Sequence, residues 1–379
     1  MASNTINMLP PYPPKSAIIG LTPTHSIDTP LTTIFMLLFL LSSIIHMSLL
    51  QINFRRGQKF LMSGMAFGFS FSRVITCALR IIWVSYPSNI RLALAAQVFV
   101  AAGTILLYLI NIIFTSRLLR AYHPWAWKHS VRTCFRAGYV SLFAGLITNI
   151  SVLVENFFTL DAHVLWIDRV IILVVSTYFA IFAFAPILLL TLRLLLPRNQ
   201  VEKFGTGRLR TKVQLVLGTS ILLTLGAAFR AGTAYVPRGI DDPAWYHSKA
   251  CFYIFDFGIE IVVLFLFAIM RVDRRFIVPN RTKVQGDFRK GGLGGMPVKG
   301  KEGAREVRWE WMRGFKGEWR EWSVEGDDEM FSERNVKVED GDGDADAETA
   351  VGSNASGEVT PEAVGSRENV DIDVEKANK

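Results

Sequence analysis

Cysteine is scarce in this chain: three residues, at positions 77, 134 and 251, exclude a disulfide framework. Cys77 and Cys251 fall on the same side of the inferred topology, so one bridge between them stands beside the plainer reading of both as small apolar packing residues. The six histidines show no metal-ligand spacing, which argues against a zinc-dependent hydrolase, and no metal or cofactor is expected. Gly205-Thr206-Gly207 lacks the strand and helix context of a phosphate loop. Residues 1–30 are polar and proline-rich, without the apolar region of a cleavable signal peptide, so the first apolar stretch must serve as the targeting element. No catalytic signature stands out, and an enzyme is not expected.

Long apolar runs are what the sequence has in abundance. Seven occupy the first 270 residues, roughly Leu31–Leu50, Leu61–Val84, Leu92–Thr115, Ala137–Phe158, Val170–Leu196, Val213–Val236 and Ala250–Met270. Each matches the roughly 20 residues that a helix needs to cross a hydrocarbon core of about 30 Å. Backbone groups facing lipid must be satisfied within their own segment, so helix is the expected state. The fold class is therefore all-α: a polytopic membrane protein with a seven-helix transmembrane bundle over residues 31–270.

Charge gives the orientation. Arg55, Arg56 and Lys59, then Arg117, Arg120, Lys128, Arg132 and Arg136, then Arg198, Lys203, Arg208, Arg210 and Lys212 fill alternate loops, and Arg271, Arg274 and Arg275 follow the last span. The positive-inside rule puts the N-terminal tail, residues 1–30, outside and the C-terminus in the cytosol. Trp83, Tyr86, Trp166, Tyr235, Trp245 and Tyr246 gather at the outer ends, where interfacial aromatics belong. The net charge of +8 thus combines a topology signal with a polarised tail and is no argument for nucleic acid.

That tail divides at about Ser323. Residues 271–322 form a basic juxtamembrane segment, and residues 323–379 are acidic, poor in apolar side chains and expected to be disordered. Met312, Phe315, Trp319 and Trp322 recur at helical spacing among Arg308, Arg313, Lys316 and Arg320. This pattern suits an amphipathic helix on the inner leaflet, or a cytosolic partner's groove. Asn280 and Asn354 head glycan acceptor triplets that a cytosolic tail leaves unused.

Function is sought where charge enters the membrane. Arg73 and Arg80 lie in the second stretch, Glu155 in the fourth, Arg230 in the sixth, and Asp256 and Glu260 in the seventh. Helix direction puts all six in the outer half of the bilayer. Arg73 and Arg80 are seven apart, Asp256 and Glu260 four apart, so each pair shares a helical face. A charge at mid-membrane costs from about 2.5 kcal/mol upward unless paired or wet. Two explanations stand: ion pairs that pin helices together, or a polar cavity, open outward, that binds a headgroup, ion or small solute. Gly64 and Gly68 form a GxxxG for close helix packing. Pro186 is placed to kink the fifth helix.

Phe229-Arg230 followed by Tyr253-Ile254-Phe255-Asp256 resembles the fungal lipid-translocating exporters of the aminocholesterol-resistance type, although Thr233 and Lys249 stand where that family usually has Glu. A closer resemblance, over about residues 30–280, is to a fungal seven-transmembrane family catalogued as a domain of unknown function. It is carried by Glu260 and by Arg271-Val272-Asp273-Arg274-Arg275-Phe276-Ile277-Val278-Pro279-Asn280. These resemblances imply a seven-helix bundle, a fungal source and, from the exporters, the plasma membrane. The expected function is translocation or export of a lipid or amphipathic small molecule through the Arg/carboxylate cluster, with membrane lipids as partners. A seven-helix receptor or sensor signalling through its loops and tail, or a structural membrane protein, is the alternative.

Overall fold

The computed structural model describes residues 10–13, 16–195, 202, 204–278 and 288. All fall in one compact unit, Met1–Ser332. The amphipathic segment, the acidic tail and both glycan acceptor triplets lie outside the described residues.

Among the described residues there is no strand, only an isolated bridge between Ser16 and Gly239. The helices are α1 (Asp28–Arg55), α2 (Leu61–Ser85), α3 (Ile90–Gly103), α4 (Ile105–Tyr122), α5 (His129–Phe158), α6 (Ala162–Leu195), α7 (Leu209–Tyr235), α8 (Lys249–Cys251), α9 (Ile259–Ile269) and α10 (Val272–Arg275). A seven-residue π-helix, Phe252–Gly258, joins α8 to α9. Together α3 and α4 make the third span, interrupted at Thr104, and α8 through α9 make the seventh. Among the described residues, seven helical spans are long and apolar enough to cross a membrane.

Several helices outrun their apolar stretches. α5 begins at His129, eight residues before Ala137, and carries Arg132 and Arg136 in its first turns; α6 begins at Ala162, so Asp168 and Arg169 are helical. Hydropathy marks where a helix meets hydrocarbon, whereas a helix ends where its backbone bonds end. α6 continues through Pro186 to Leu195. The expected GxxxG contact is half realised: a Cβ on Gly64 would touch Leu50 of α1 at 3.4 Å, while Gly68 faces open space.

Successive spans run in alternate directions. Asn53 reaches Asp273, and the Glu202 N–H donates to the Ala121 carbonyl, gathering the ends of α1, α4 and α9 with the α6–α7 connection. At the opposite end Tyr12 bonds to Phe157, Ala17 to Arg238 and Gly20 to His247. The third and seventh spans are the most buried, the fourth and fifth the least. α1 lies along α2, and α6 along α7.

The C-terminal end is sealed by aromatic packing. Arg271 takes the left-handed conformation, φ 47°, and turns the chain back beneath the bundle as α10. Phe276 then stacks on Phe114 at 4.2 Å and packs against Phe204, while Arg117 donates to the Phe276 carbonyl. Gly205 makes this closure possible, because at its φ of +57° a Cβ would lie 2.2 Å from the Arg275 carbonyl oxygen. Asp273, fully buried, accepts two hydrogen bonds from Arg271 at 3.0 Å and one from Asn53 at 3.3 Å. Burial pushes the Asp273 carboxyl up, but the Arg271 bonds and charge outweigh it and hold the group below its ordinary value.

Candidate functional site

Two clusters of buried charge stand one above the other, about 10 Å apart along α2, because Arg73 and Arg80 are two turns apart on one face. The deeper one centres on Arg73. Its Nε and Nη2 donate to the two Glu260 oxygens, each at 2.7 Å, in a bidentate pair that is 0% and 1% exposed. Nη1 donates to the Phe99 and Val100 carbonyls at 3.2 and 3.0 Å, and Nη2 also to Thr104 Oγ1 at 3.0 Å. All five guanidinium N–H donors are thereby matched.

The interruption of the third span explains this fit. Carbonyls at a helix C-terminus lack partners within the helix, and the end of α3 presents them to Arg73. Thr104, at the break, donates to Glu260 at 3.1 Å. Gly103 clears the way, since a Cβ there would lie 3.2 Å from Arg73 Cζ and from the Phe69 ring. Phe69 and Phe257 flank the guanidinium at 5.2 and 5.8 Å.

Arg230 completes the deeper cluster. It donates to Asp256 at 2.8 Å and to the Tyr108 hydroxyl at 3.0 Å, and lies 3.7 Å from Glu260. Two cations thus meet two carboxylates. The π-helix carries Asp256 and packs close to α7, because a Cβ on Gly226 would meet the Phe255 carbonyl at 3.2 Å.

The cluster nearer the N-terminal end is built on Asp28, in the first turn of α1 and fully buried. Its carboxylate accepts from Arg80 at 2.8 Å, Lys249 at 2.5 Å, the Tyr253 hydroxyl at 2.9 Å and the Thr24 backbone N–H at 2.8 Å. Thr32 donates to Tyr253 at 2.6 Å. Arg80 also donates to the Gly20 carbonyl at 3.1 Å and lies over the Phe252 ring at 4.2 Å.

The six predicted residues therefore do not form one network. Arg73, Arg230, Asp256 and Glu260 meet in the deeper cluster, and Arg80 joins the other. Glu155 enters neither: it is exposed on α5, and Asp28 supplies the carboxylate that Arg80 takes instead. Asp28 and Lys249 were missed because hydropathy assigned both to flanking segments. A helix-start signal was available for Asp28, an acidic residue just ahead of Pro30 and an apolar run. Asn111 bonds Ser220 and Thr219 across α4 and α7, and His46 bonds the Leu264 carbonyl, both links between helices. All three cysteines are free, so Cys77 and Cys251 form no bridge. Among the described residues no three His, Cys, Asp or Glu side chains are grouped to hold a metal.

None of the six charged residues is among the walls of the groove between α1, α7 and the seventh span. Among the described residues, that groove is open, apolar and about 540 Å³ in volume. Leu31, Phe35, Leu222, Tyr253, Ile254 and Val262 are among its walls. It follows the seventh span from Ala250 to Val262, roughly 18 Å. Its end at Leu31 and Ala250 adjoins Asp28 and Lys249, and Tyr253 gives its ring to the groove and its hydroxyl to Asp28.

Residues 205–277, about a fifth of the chain, match a family model described as protein of unknown function (DUF3112). The resemblance to a domain of unknown function thus holds over the last two spans and α10, a segment whose two ends meet where the Thr206 N–H donates to the Arg274 carbonyl. It contains Arg230, Lys249, Tyr253, Asp256 and Glu260. No curated protein and no solved structure matches the chain.

Proposed function

We propose that this multi-pass membrane protein handles an amphipathic lipid, which it binds in the groove as the first step of translocation or export. One observation carries the reading: an apolar groove about half a bilayer deep ends against a cluster of charge. A hydrocarbon chain fits the groove, and a polar head reaches Lys249 and Asp28.

Energetics separate the roles of groove and clusters. Breaking a buried ion pair by removing one partner costs about 3–5 kcal/mol. Passage of a solute between Arg73 and Glu260 would incur a penalty of that order, whereas binding in the lipid-facing groove breaks neither bond. The deeper cluster accordingly acts as a scaffold pinning α2, the third span, α7 and the seventh span. Movement of the head beyond the groove is the step in which Arg230, the more exposed member, exchanges partners. The exporter resemblance supports residence in the plasma membrane.

The test is flux of labelled phospholipids and sphingoid bases in proteoliposomes, with Leu222→Trp filling the groove and Arg230→Ala alongside. Protein-dependent flux lost in Leu222→Trp, with folding intact, supports the reading. Lipid binding without flux would favour a sensor, and neither binding nor flux would end it.

A further inference from the structure

Counting charge separates the two clusters. The deeper one is balanced, but around Asp28 two cations, Arg80 and Lys249, face a single carboxylate. The Arg80 side chain is 6% exposed, and its Nε has no acceptor, so donor capacity remains inside the protein. Lys249, 16% exposed, directly precedes Ala250, which lines one end of the groove. An ammonium, a guanidinium, a hydroxyl and a backbone N–H converging on one carboxylate form the donor set that recognises an oxyanion.

We propose that Arg80 and Lys249 form the headgroup site of the groove, that its ligand is anionic, a phosphate or carboxylate, and that Asp28 is a resident competitor which the ligand displaces. The proposal rests on the groove reading above and names the chemistry of its head. Displacement exchanges one anion for another, so Arg80 and Lys249 stay paired throughout, and Asp28 keeps the Tyr253 hydroxyl and Thr24 N–H as donors. Asp28 opens α1 and is tied to the segment from Ser16 to Ile27, which crosses the N-terminal end of the bundle. Its backbone anchors there are Ala17 to Arg238 and Gly20 to His247, each 2.9 Å, and Arg80 holds the Gly20 carbonyl. A ligand oxyanion that takes Arg80 and Lys249 from Asp28 therefore loosens this strap as it binds, coupling occupancy of the groove to the N-terminal segment.

The full-length protein, purified in neutral detergent, is titrated with lysophosphatidate and with a monoacylglycerol of the same chain, bound lipid being counted by native mass spectrometry. Inorganic phosphate is added as a third probe. Lysophosphatidate is expected to bind about tenfold or more tightly than the neutral lipid, the scale of hydrogen bonds to charged groups. Lys249→Gln, at a partly exposed position, is expected to erase that preference. Asp28→Asn keeps the side chain's shape but removes the competing charge, so it is expected to tighten anion binding, whereas a merely structural role for Asp28 would weaken it. Phosphate that displaces lysophosphatidate in a Lys249-dependent way supports the site and identifies a soluble anion as a ligand; phosphate without effect identifies the lipid as the source. Equal affinity for the charged and neutral lipids, unchanged by Lys249→Gln, overturns the anionic site and leaves the groove standing. Binding of neither lipid overturns both.

Discussion

Glu260 shows how far one side chain can be held by its surroundings. Both oxygens face Arg73, one also accepts from Thr104, and the residue is 1% exposed. Glu260→Gln turns an amide N–H₂ toward guanidinium donors and strands a buried cation, so a loss of about 3–5 kcal/mol is expected in thermal or denaturant unfolding of the detergent-solubilised protein. The double variant Arg73→Met with Glu260→Leu removes both charges at similar volume and should be more stable than Glu260→Gln alone. A double variant no better than the single would mean that the pair does more than neutralise itself. Gly103→Ala tests the same site from the backbone side. Its Cβ must gain a few tenths of an ångström from Arg73 and Phe69, for an expected loss of about 1–3 kcal/mol. At this scale the sequence was only partly readable. It gave the shared face of Arg73 and Arg80 and that of Asp256 and Glu260, but not the partners. Glu155 lies at the right depth and shares a face of α5 with Ser141, Thr148 and Ser151, but all four are exposed, so depth and a polar face together do not fix which way a residue points.

Among the elements, the seven spans were legible because the physics that makes them helical, satisfaction of the backbone in hydrocarbon, works on windows of about 20 residues. The break at Thr104 and the π-helix at Phe252–Gly258 were not. Each depends on what a neighbouring helix offers, a guanidinium from α2 in one case and the small Gly226 of α7 in the other. The Arg271–Phe276 turn lies between these extremes: its residues carried the family resemblance, while its docking depends on Gly205, some 70 residues upstream. Gly205→Ala is expected to displace α10, since its Cβ would overlap the Arg275 carbonyl and the positive φ penalises any side chain. Limited proteolysis after Arg271 or Arg274 should accelerate in this variant while helical content holds; unchanged cleavage would show that the turn is anchored elsewhere. Asp273 adds a pH dependence. Its carboxyl is held below the ordinary value, so its contribution to docking is complete above about pH 4 and fades as pH falls through the lower folded value. Between pH 6 and 8 the cleavage rate should therefore show no Asp273-dependent change.

At the scale of the whole molecule, the two ends of the bundle differ in kind. One collects Arg55, Arg56, Arg120, Arg132, Arg136, Arg208 and Arg271 around an aromatic seal, and the other collects Tyr86, Trp166, Trp245 and Tyr246 beneath the Ser16–Ile27 strap. The contacts join loops that the charge count had assigned to a common side without knowing that they touch. A buried-charge scaffold inside and an apolar groove outside are compatible with either orientation, so the direction of any lipid movement depends on which end faces the cytosol. The positive-inside count requires the basic end to be cytosolic. The native thiols report on this directly: Cys134 is exposed near the start of α5 at the basic end, whereas Cys77 is buried. A membrane-impermeant maleimide applied to intact cells should leave Cys134 unmodified and label it once the membrane is opened. With Trp245→Cys, a highly exposed position at the other end, placed in a Cys251→Ser background because the partly exposed Cys251 shares that end, labelling should occur in intact cells. The reverse pattern would invert the bundle, place the Arg80–Lys249 site on the cytosolic leaflet and make the groove an acceptor of inner-leaflet lipid, with the C-terminal tail on the far side of the membrane.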